Sequence, residues 1–194
     1  MRKTYPAAVK VSNDTKQKIV ELINPSLART IDLFLEAKHA HWNSKGKQFY
    51  SLHLLFDVVA KHLRKQADDL GERVASLGGV AQGTVQEVAR TTDLQPYELG
   101  SASVDDHVSA IVENLAQHAS ALRKAIDRTE EIGDLATQEI LLTHLCKVEQ
   151  DTWLLESHLA DSRPPIRERE ERAAPGGNGG RAAARKHPEA AAQR

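Results

Sequence analysis

The sequence predicts an all-α fold, a four-helix bundle in which two antiparallel helical hairpins are joined by one long connection. Apolar residues recur every three or four positions through four long segments, which is the helical period. Short links separate the first segment from the second and the third from the fourth. The connection from about 79 to 103 is long and contains its own short helical piece, TVQEVAR. A chain of 194 residues, 40% of them hydrophobic, is expected to form one core of ordinary size.

The two helices of the first hairpin are predicted from their capping residues, their apolar stripes and the residues that end each helix. Ser12 to Thr15 offer N-caps for the first helix, which is expected to end near Asn43–Gly46. Pro25 lies inside its apolar stripe and is expected to kink the helix or to end a first short piece. The second stripe runs from Leu52 to Leu77 and stops at Gly78–Gly79.

The second hairpin follows the same pattern. Its first helix is expected after Ser103–Asp106 and runs through Ile126. Its second helix is expected to start near Asp134 and to carry an apolar stripe through Trp153 to Leu159. Two hairpins joined by a long crossover form the ferritin-like variety of four-helix bundle.

Charge divides the chain into three parts. Residues 1–18 form a basic N-terminal extension and residues 163–194 a basic C-terminal tail, while the predicted bundle, residues 19–162, is acidic. The tail has no large apolar residue after Ile166, so we predict that it is disordered. It serves either as a solubilising appendage or as a flexible cationic arm for an anionic polymer.

Several classes of protein are excluded by what the chain lacks. No apolar run reaches about eighteen residues, so we expect no transmembrane helix and no membrane partner. The basic N-terminus has no apolar region typical of a secretory signal. The single cysteine, Cys146, excludes an intrachain disulfide framework and a cysteine-based zinc site. These features predict a cytoplasmic protein.

A histidine pair flanks the first predicted turn, in HWNSKGKQFYSLHLLFD. His41 and His53 can converge across that turn, whereas Asp68 and Glu72 share one face of the second helix. Fifteen helical residues separate His53 from Asp68, a rise of roughly 22 Å. If all four ligate one iron, the carboxylates must therefore come from a second subunit across a twofold axis. Imidazole with carboxylate suits Fe(II), and zinc is a competing occupant.

Glu36 and His39 offer a second arrangement for a metal. Together they form the chain's single Glu-x-x-His candidate, without the second copy that a di-iron centre inside the bundle requires. Their polar character near the helix end predicts a solvated face instead.

The segments KHAHWNSKG, LHLLFD and DDLGERVASLGG resemble the Dps family (DNA-binding protein from starved cells), the mini-ferritins, over roughly residues 10–162. The resemblance implies a hollow homo-dodecamer with His41, His53, Asp68 and Glu72 as ferroxidase ligands at twofold interfaces. It implies oxidation of Fe(II) by hydrogen peroxide or oxygen, storage of ferric mineral and protection of DNA. The alternatives are an iron-detoxifying shell that does not bind DNA and a non-catalytic, nucleoid-associated helical bundle.

Other side chains near these ligands have two interpretations each. Asp57, one turn after His53, either binds a second, weaker iron or orients His53. Trp42 either packs or resembles the family's tryptophan that intercepts an oxidising equivalent. Asp134 and Glu139 are candidates for a threefold iron-entry pore, although Asp134 equally fits an acid favoured by the helix dipole.

DNA binding is a separate hypothesis that depends on charge, because the chain has no base-reading motif. Many copies of two basic ends would bind DNA without sequence specificity and with steep salt dependence, which predicts a nucleoid-associated protein. The opposing interpretation is that the Glu residues of REREER pair locally with its arginines. The candidate DNA contacts are Arg2, Lys3, Lys10, Lys16, Lys18, Arg172, Arg181, Arg185, Lys186 and Arg194.

Overall fold

The computed structural model describes residues 5–100 and 103–159, and all regular structure within these ranges is helical. The helices are α1 Asn13–Asn43, α2 Phe49–Ser76, α3 Val85–Thr91, α4 Val104–Ile132 and α5 Leu135–Glu156, followed by a 3-10 turn at Ser157–Leu159. Helices α1 and α2 form one hairpin, α4 and α5 the other, and α1 also packs against α4 and against α3 in the crossover. The predicted four-helix bundle with a short helix in its long connection is therefore confirmed.

Helix α1 runs without a break through Pro25, so the expectation that a first short piece ends there is wrong. An interior proline costs about 3 kcal/mol or more. Ile19, Ile23 and Leu27 surround it and are fully or almost fully buried. Burying each of these side chains contributes roughly 1.5–3 kcal/mol, which offsets the cost of the proline.

Local caps set the helix ends near the predicted positions. The Ser12 hydroxyl accepts a hydrogen bond from the Thr15 amide at 3.0 Å and starts α1. Ser103 and Asp106 form a capping box, with the Asp106 amide donating to the Ser103 hydroxyl at 3.1 Å. The caps fix where each helix begins, and the buried stripe then fixes which face points inward.

The N-terminal segment is more tightly bound to the bundle than its charge suggested. The Tyr5 amide donates to the Gly78 carbonyl at 2.9 Å, and Val9 and Val11 pack against the core. Gly78 has φ +79°, and a side chain there would collide with the Tyr5 carbonyl. Residues 5–11 therefore lie against the far end of α2.

Helix α1 begins at Asn13, within residues 1–18, the part that the sequence sets apart as a basic extension. Lys16 donates to the Ala7 carbonyl at 3.1 Å, and Lys18 pairs with Asp14 at 2.6 Å. These two lysines are thus helix residues with local partners, whereas Lys10 is exposed on the packed segment. The remaining candidate DNA contacts lie outside the described residues, as does the predicted tail; they are Arg2, Lys3, Arg172, Arg181, Arg185, Lys186 and Arg194.

The core lies between the four long helices, and α5 enters it with much of the predicted stripe but not with Trp153. Leu141, Val148 and Leu155 are buried, whereas Trp153 is 63% exposed. The prediction that Trp153 belongs to the buried stripe is wrong because α5 has apolar residues on more than one face. No helix within the described ranges combines the length and the apolar character needed to cross a membrane.

Candidate metal centre

The hairpin between α1 and α2 brings His41 and His53 into direct contact. Their rings stack with centroids 3.7 Å apart and an interplanar angle of 19°. The chain reverses at Gly46, whose φ of +111° is a conformation that favours glycine. Asn43 ends α1 and Phe49 begins α2, so the turn is short enough to hold the two rings together.

The two histidines are fixed by reciprocal hydrogen bonds to backbone. Nδ1 of His41 donates to the His53 carbonyl at 2.7 Å, and Nδ1 of His53 donates to the His41 carbonyl at 2.8 Å. With the proton on Nδ1, the lone pair of a neutral imidazole lies on Nε2. Histidine ligands of metals typically donate their other nitrogen in this way, which fixes the tautomer and the ring. The pair therefore presents two oriented nitrogen donors.

Asp68 and Glu72 lie further along α2, one turn apart, and both are exposed. Asp68 lines a shallow pocket with Arg64 and Lys65. Within residues 5–100 and 103–159 of one chain, no three His, Cys, Asp or Glu side chains are grouped closely enough to hold a metal ion. Within one protomer, the His41–His53 pair is thus far from Asp68 and Glu72, as the rise of the helix between His53 and Asp68 requires.

Asp57 lies next to the histidine pair but bonds to lysines. Its carboxylate accepts from Lys38 and from Lys61, each at 2.9 Å. The hydrogen bonds from Lys61 and then Lys38 lower the pKa of Asp57 to about 2. Because a backbone carbonyl holds Nδ1 of His53, the orienting role considered for Asp57 is taken by the main chain.

Trp42 is 67% exposed on the protomer, next to His41 in the chain. The Lys38 ammonium lies 5.7 Å from the centroid of its ring, within cation–π range. Trp42 therefore does not pack in the core of its own chain.

The two pore candidates occupy different environments. Asp134 is 5% exposed, and its carboxylate accepts from Arg73 at 2.8 Å and from the Thr137 hydroxyl at 2.6 Å. It precedes α5 as the N-cap residue, and within the protomer it joins α5 to α2. Glu139 is exposed. The buried ion pair at Asp134 was not predicted, since Arg73 lies 61 residues away along the chain.

Glu36 is buried, so the expectation of a solvated face is wrong. It is 6% exposed, and the Asn114 amide of α4 donates to both of its carboxyl oxygens at 3.0 Å. Burial raises the pKa of Glu36 to about 8, against the lowering effect of the Asn114 hydrogen bond. Asn114 lies 78 residues from Glu36 along the chain, and the sequence signal for this contact is a polar residue on the mainly apolar inner face of α4.

The helix order, the crossover and the polar hairpin define the class of the protein. The model of the ferritin-like domain family matches residues 20–163. The solved structure of DpsC from Streptomyces coelicolor superposes with a TM-score of 0.79 at 32% identity, covering 84% of this chain and 95% of that one. A Dps structure from Mycobacterium smegmatis gives a TM-score of 0.75 at 28% identity, covering 82% and 94%. The protein is thus a ferritin-like four-helix bundle.

Sequence comparison narrows the class further. The DNA protection during starvation protein of Agrobacterium fabrum is 36% identical over 159 residues, which are 82% of this chain and 98% of that protein. The chain belongs to the Dps family of ferritin-like proteins. The predicted resemblance is therefore confirmed.

Proposed function

We propose that this protein is a ferroxidase and iron-storage shell whose iron site forms between two subunits. The observation that carries this proposal is the stacked His41–His53 pair, in which each Nδ1 donates to a backbone carbonyl. Its two Nε2 donors need carboxylates to complete a site for Fe(II), and within its described residues one protomer does not bring such carboxylates to them. Asp68 and Glu72 are exposed on α2 and suit this role from a neighbouring copy.

Iron enters as the substrate. His41 and His53 bind Fe(II) through Nε2, and the partner subunit's Asp68 and Glu72 supply negative charge, which favours Fe(III) over Fe(II). Hydrogen peroxide, or oxygen, is the oxidant. One peroxide molecule takes one electron from each of two Fe(II) ions and, with two protons, becomes two water molecules. Zinc competes for the same donors without undergoing oxidation, and Asp57 is a candidate ligand for a second iron.

A closed homo-dodecamer is the assembly that we propose, since membership of the Dps family favours it and the site requires a symmetric neighbour. The exposed apolar residues around the hairpin fit a subunit interface. On the protomer Trp42 is 67%, Tyr50 71% and Leu54 46% exposed. Ferric mineral would then be stored inside the shell, away from DNA.

Mixed assemblies test the shared site. His41→Ala and Asp68→Ala should each abolish rapid Fe(II) oxidation after a peroxide pulse. When the two variants are co-assembled at random, about one quarter of the sites recover an intact pair of halves, because half of the twofold interfaces are mixed and each of those restores one site of two. Oxidation should therefore return to about a quarter of the wild-type amplitude.

Matched controls separate loss of ligands from loss of structure. His158→Ala removes a histidine beyond the end of α5, and Asp127→Ala removes an exposed carboxylate of α4. Both should oxidise iron at the wild-type rate. Absence of recovery in mixed shells of normal mass would contradict a site shared between subunits.

We further propose that the basic ends bind DNA without sequence specificity, which places the protein in the cytoplasm at the nucleoid. The support is the charge pattern, in which both ends are basic and the central part acidic, together with the name of the A. fabrum relative. The contact of one cationic side chain with a phosphate is weak, but many such contacts made together are effective. Lys16 and Lys18 contribute less than the other residues, since both have partners within the bundle.

A further inference from the structure

Tyr97, which is half-buried, and His107, which is buried, form a hydrogen-bonded pair between the crossover and α4. The Tyr97 hydroxyl lies 2.6 Å from Nδ1 of His107, which is 2% exposed. Burial raises the pKa of Tyr97 far above its usual range and lowers the pKa of His107. The phenol therefore keeps its proton, and the imidazole is neutral. In the tautomer of His107 that carries its proton on Nε2, the phenol donates to Nδ1, and this nitrogen is then placed to accept the phenolic proton.

The backbone that carries Tyr97 is fixed to α4 by Asn114. The Gln95 amide donates to the Asn114 side-chain oxygen at 3.0 Å, and the Asn114 amide donates back to the Gln95 carbonyl at 3.0 Å. The same amide group bonds to the buried Glu36 carboxyl group. These contacts hold the residue two positions before Tyr97, so the short phenol–imidazole distance is enforced by the fold.

His39 connects this pair to the helix that carries the metal ligands. Its ring packs edge-on against Tyr97 with centroids 5.1 Å apart, and its Nε2 is buried without a hydrogen-bond partner. His39 and His41 are two residues apart on α1 and hence on nearly opposite faces. The His39 and His41 rings are thus separated by about one helix diameter, ~10–12 Å, and Tyr97 lies one ring contact beyond His39. Single electrons cross proteins over such distances.

We propose that Tyr97 and His107 are a redox site at which one-electron oxidants of the hydroxyl-radical class, formed when peroxide meets Fe(II), are reduced inside the protein. One electron passes from the Tyr97 phenol to the oxidant, while the phenolic proton moves to Nδ1 of His107. The products are a neutral tyrosyl radical, an imidazolium and the reduced oxidant. An electron from a further Fe(II) restores the phenol, and the proton returns. The source of the oxidant depends on the proposed function, whereas the chemistry of the pair does not.

The chain offers matched controls, since it has three tyrosines. Tyr50 is 71% exposed and Tyr5 63% exposed, so neither shares the burial of the His107 pair. Tyr97→Phe removes only the hydroxyl group that bonds to His107, and Tyr50→Phe removes one that is exposed on the protomer. His107→Gln removes the proton acceptor. Equal assembled mass and thermal midpoint in the two phenylalanine variants establish that their folds are intact.

The first experiment uses the full-length assembled protein without iron. A photogenerated one-electron oxidant, flash-quenched ruthenium tris-bipyridine, is applied, and the frozen sample is measured by electron paramagnetic resonance. Wild type and Tyr50→Phe should give a neutral tyrosyl radical that is mostly lost in Tyr97→Phe and reduced in His107→Gln. Radical formation should be slower in D2O, which a purely structural role would not produce. A wild-type radical yield in Tyr97→Phe, or its loss in Tyr50→Phe, would overturn the proposal.

The second experiment repeats the measurement after Fe(II) and a peroxide pulse. The same radical should appear and decay as more Fe(II) is added. If the radical forms photochemically at Tyr97 but never with iron and peroxide in a shell that oxidises iron, the link to iron chemistry is refuted. If the shell does not oxidise iron, the proposed function fails, and the iron-free experiment still decides whether the pair is redox-active.

Discussion

Replacing Glu36 by glutamine should change how the stability of the protein depends on pH. Glu36 is 6% exposed, and burial raises its pKa from 4.5 to about 8. The folded state therefore holds a proton between these values that the unfolded state has released. Stability from this group is full below pH 4.5 and is lost as pH rises to about 8. At 1.36 kcal/mol for each pH unit, the loss is on the order of 5 kcal/mol.

A glutamine side chain at this position would resemble the neutral acid in shape and would not titrate. Glu36→Gln should therefore be more stable than wild type at pH 8.5, and the advantage should shrink or reverse at pH 4.5. Nearby Asp32 raises the pKa of Glu36 further, so it should be left unchanged in this comparison. The measurement is the free energy of unfolding by denaturant at a fixed subunit concentration, because assembly contributes to apparent stability.

Glu21→Gln is the matched control, since it removes an exposed carboxylate from the same helix. Infrared spectroscopy supplies a direct readout, the carbonyl band of a neutral carboxylic acid that disappears near pH 8 and is missing in Glu36→Gln. If the stability difference between wild type and Glu36→Gln is the same at pH 4.5 and pH 8.5, Glu36 is not protonated in the fold and the reasoning is refuted.

Three further predictions concern the packing and the ends of the chain. Arg73→Met should destabilise the protein by about 3–5 kcal/mol in denaturant unfolding, since it leaves the buried Asp134 carboxylate without its cation; a change below about 1 kcal/mol would contradict a buried pair. Gly78→Ala should cost about 1–3 kcal/mol and expose residues 5–11 to limited proteolysis, because a Cβ at φ +79° meets the Tyr5 carbonyl; unchanged digestion would show that this segment is held elsewhere. Truncation after Ser162 should leave iron oxidation intact, while DNA retardation weakens and becomes less sensitive to salt. Removal of residues 1–4 as well should weaken DNA binding further. If the full-length and the doubly truncated protein retard DNA equally in a gel at matched salt, the ends are not the DNA-binding element.

The fold was predictable because its signals are local. The helical period, the capping residues Ser12 and Ser103 and the turn at Gly46 act over three or four residues, and each is visible in the sequence. The expectation of a break at Pro25 is wrong because its local effect is offset by the packing of Ile23 and Leu27 against other helices. Whether the helix continues through Pro25 is decided by burial against other helices. The periodicity of the sequence shows only which face of the helix is apolar.

The polar interior was not predictable from the same signals. Glu36 and Asn114 are 78 residues apart, and His62 and the buried Asp151 are 89 apart. On α5 apolar residues occur on several faces, so the pattern assigned Trp153 to the core and left Asp151 outside it. Asp151 is in fact 1% exposed, with His62 at 3.0 Å. Such pairs depend on which helices are neighbours and which faces they turn toward each other, and the sequence alone does not give this arrangement.

In the proposed site, the fold of one chain prepares chemistry that needs a second chain. The Nδ1 of each histidine in the His41–His53 pair donates to the backbone carbonyl of the other. These two hydrogen bonds join the end of α1 to the start of α2 and also fix the orientation of each Nε2. The nitrogen donors are therefore oriented before a partner or a metal arrives, and little ordering remains to be done on binding. Because a metal that binds only across the interface stabilises the assembled state by mass action, iron and assembly should strengthen each other. In the function that we propose, the separation of His53 from Asp68 and Glu72 along α2 makes oxidation depend on the formation of the shell that stores its product.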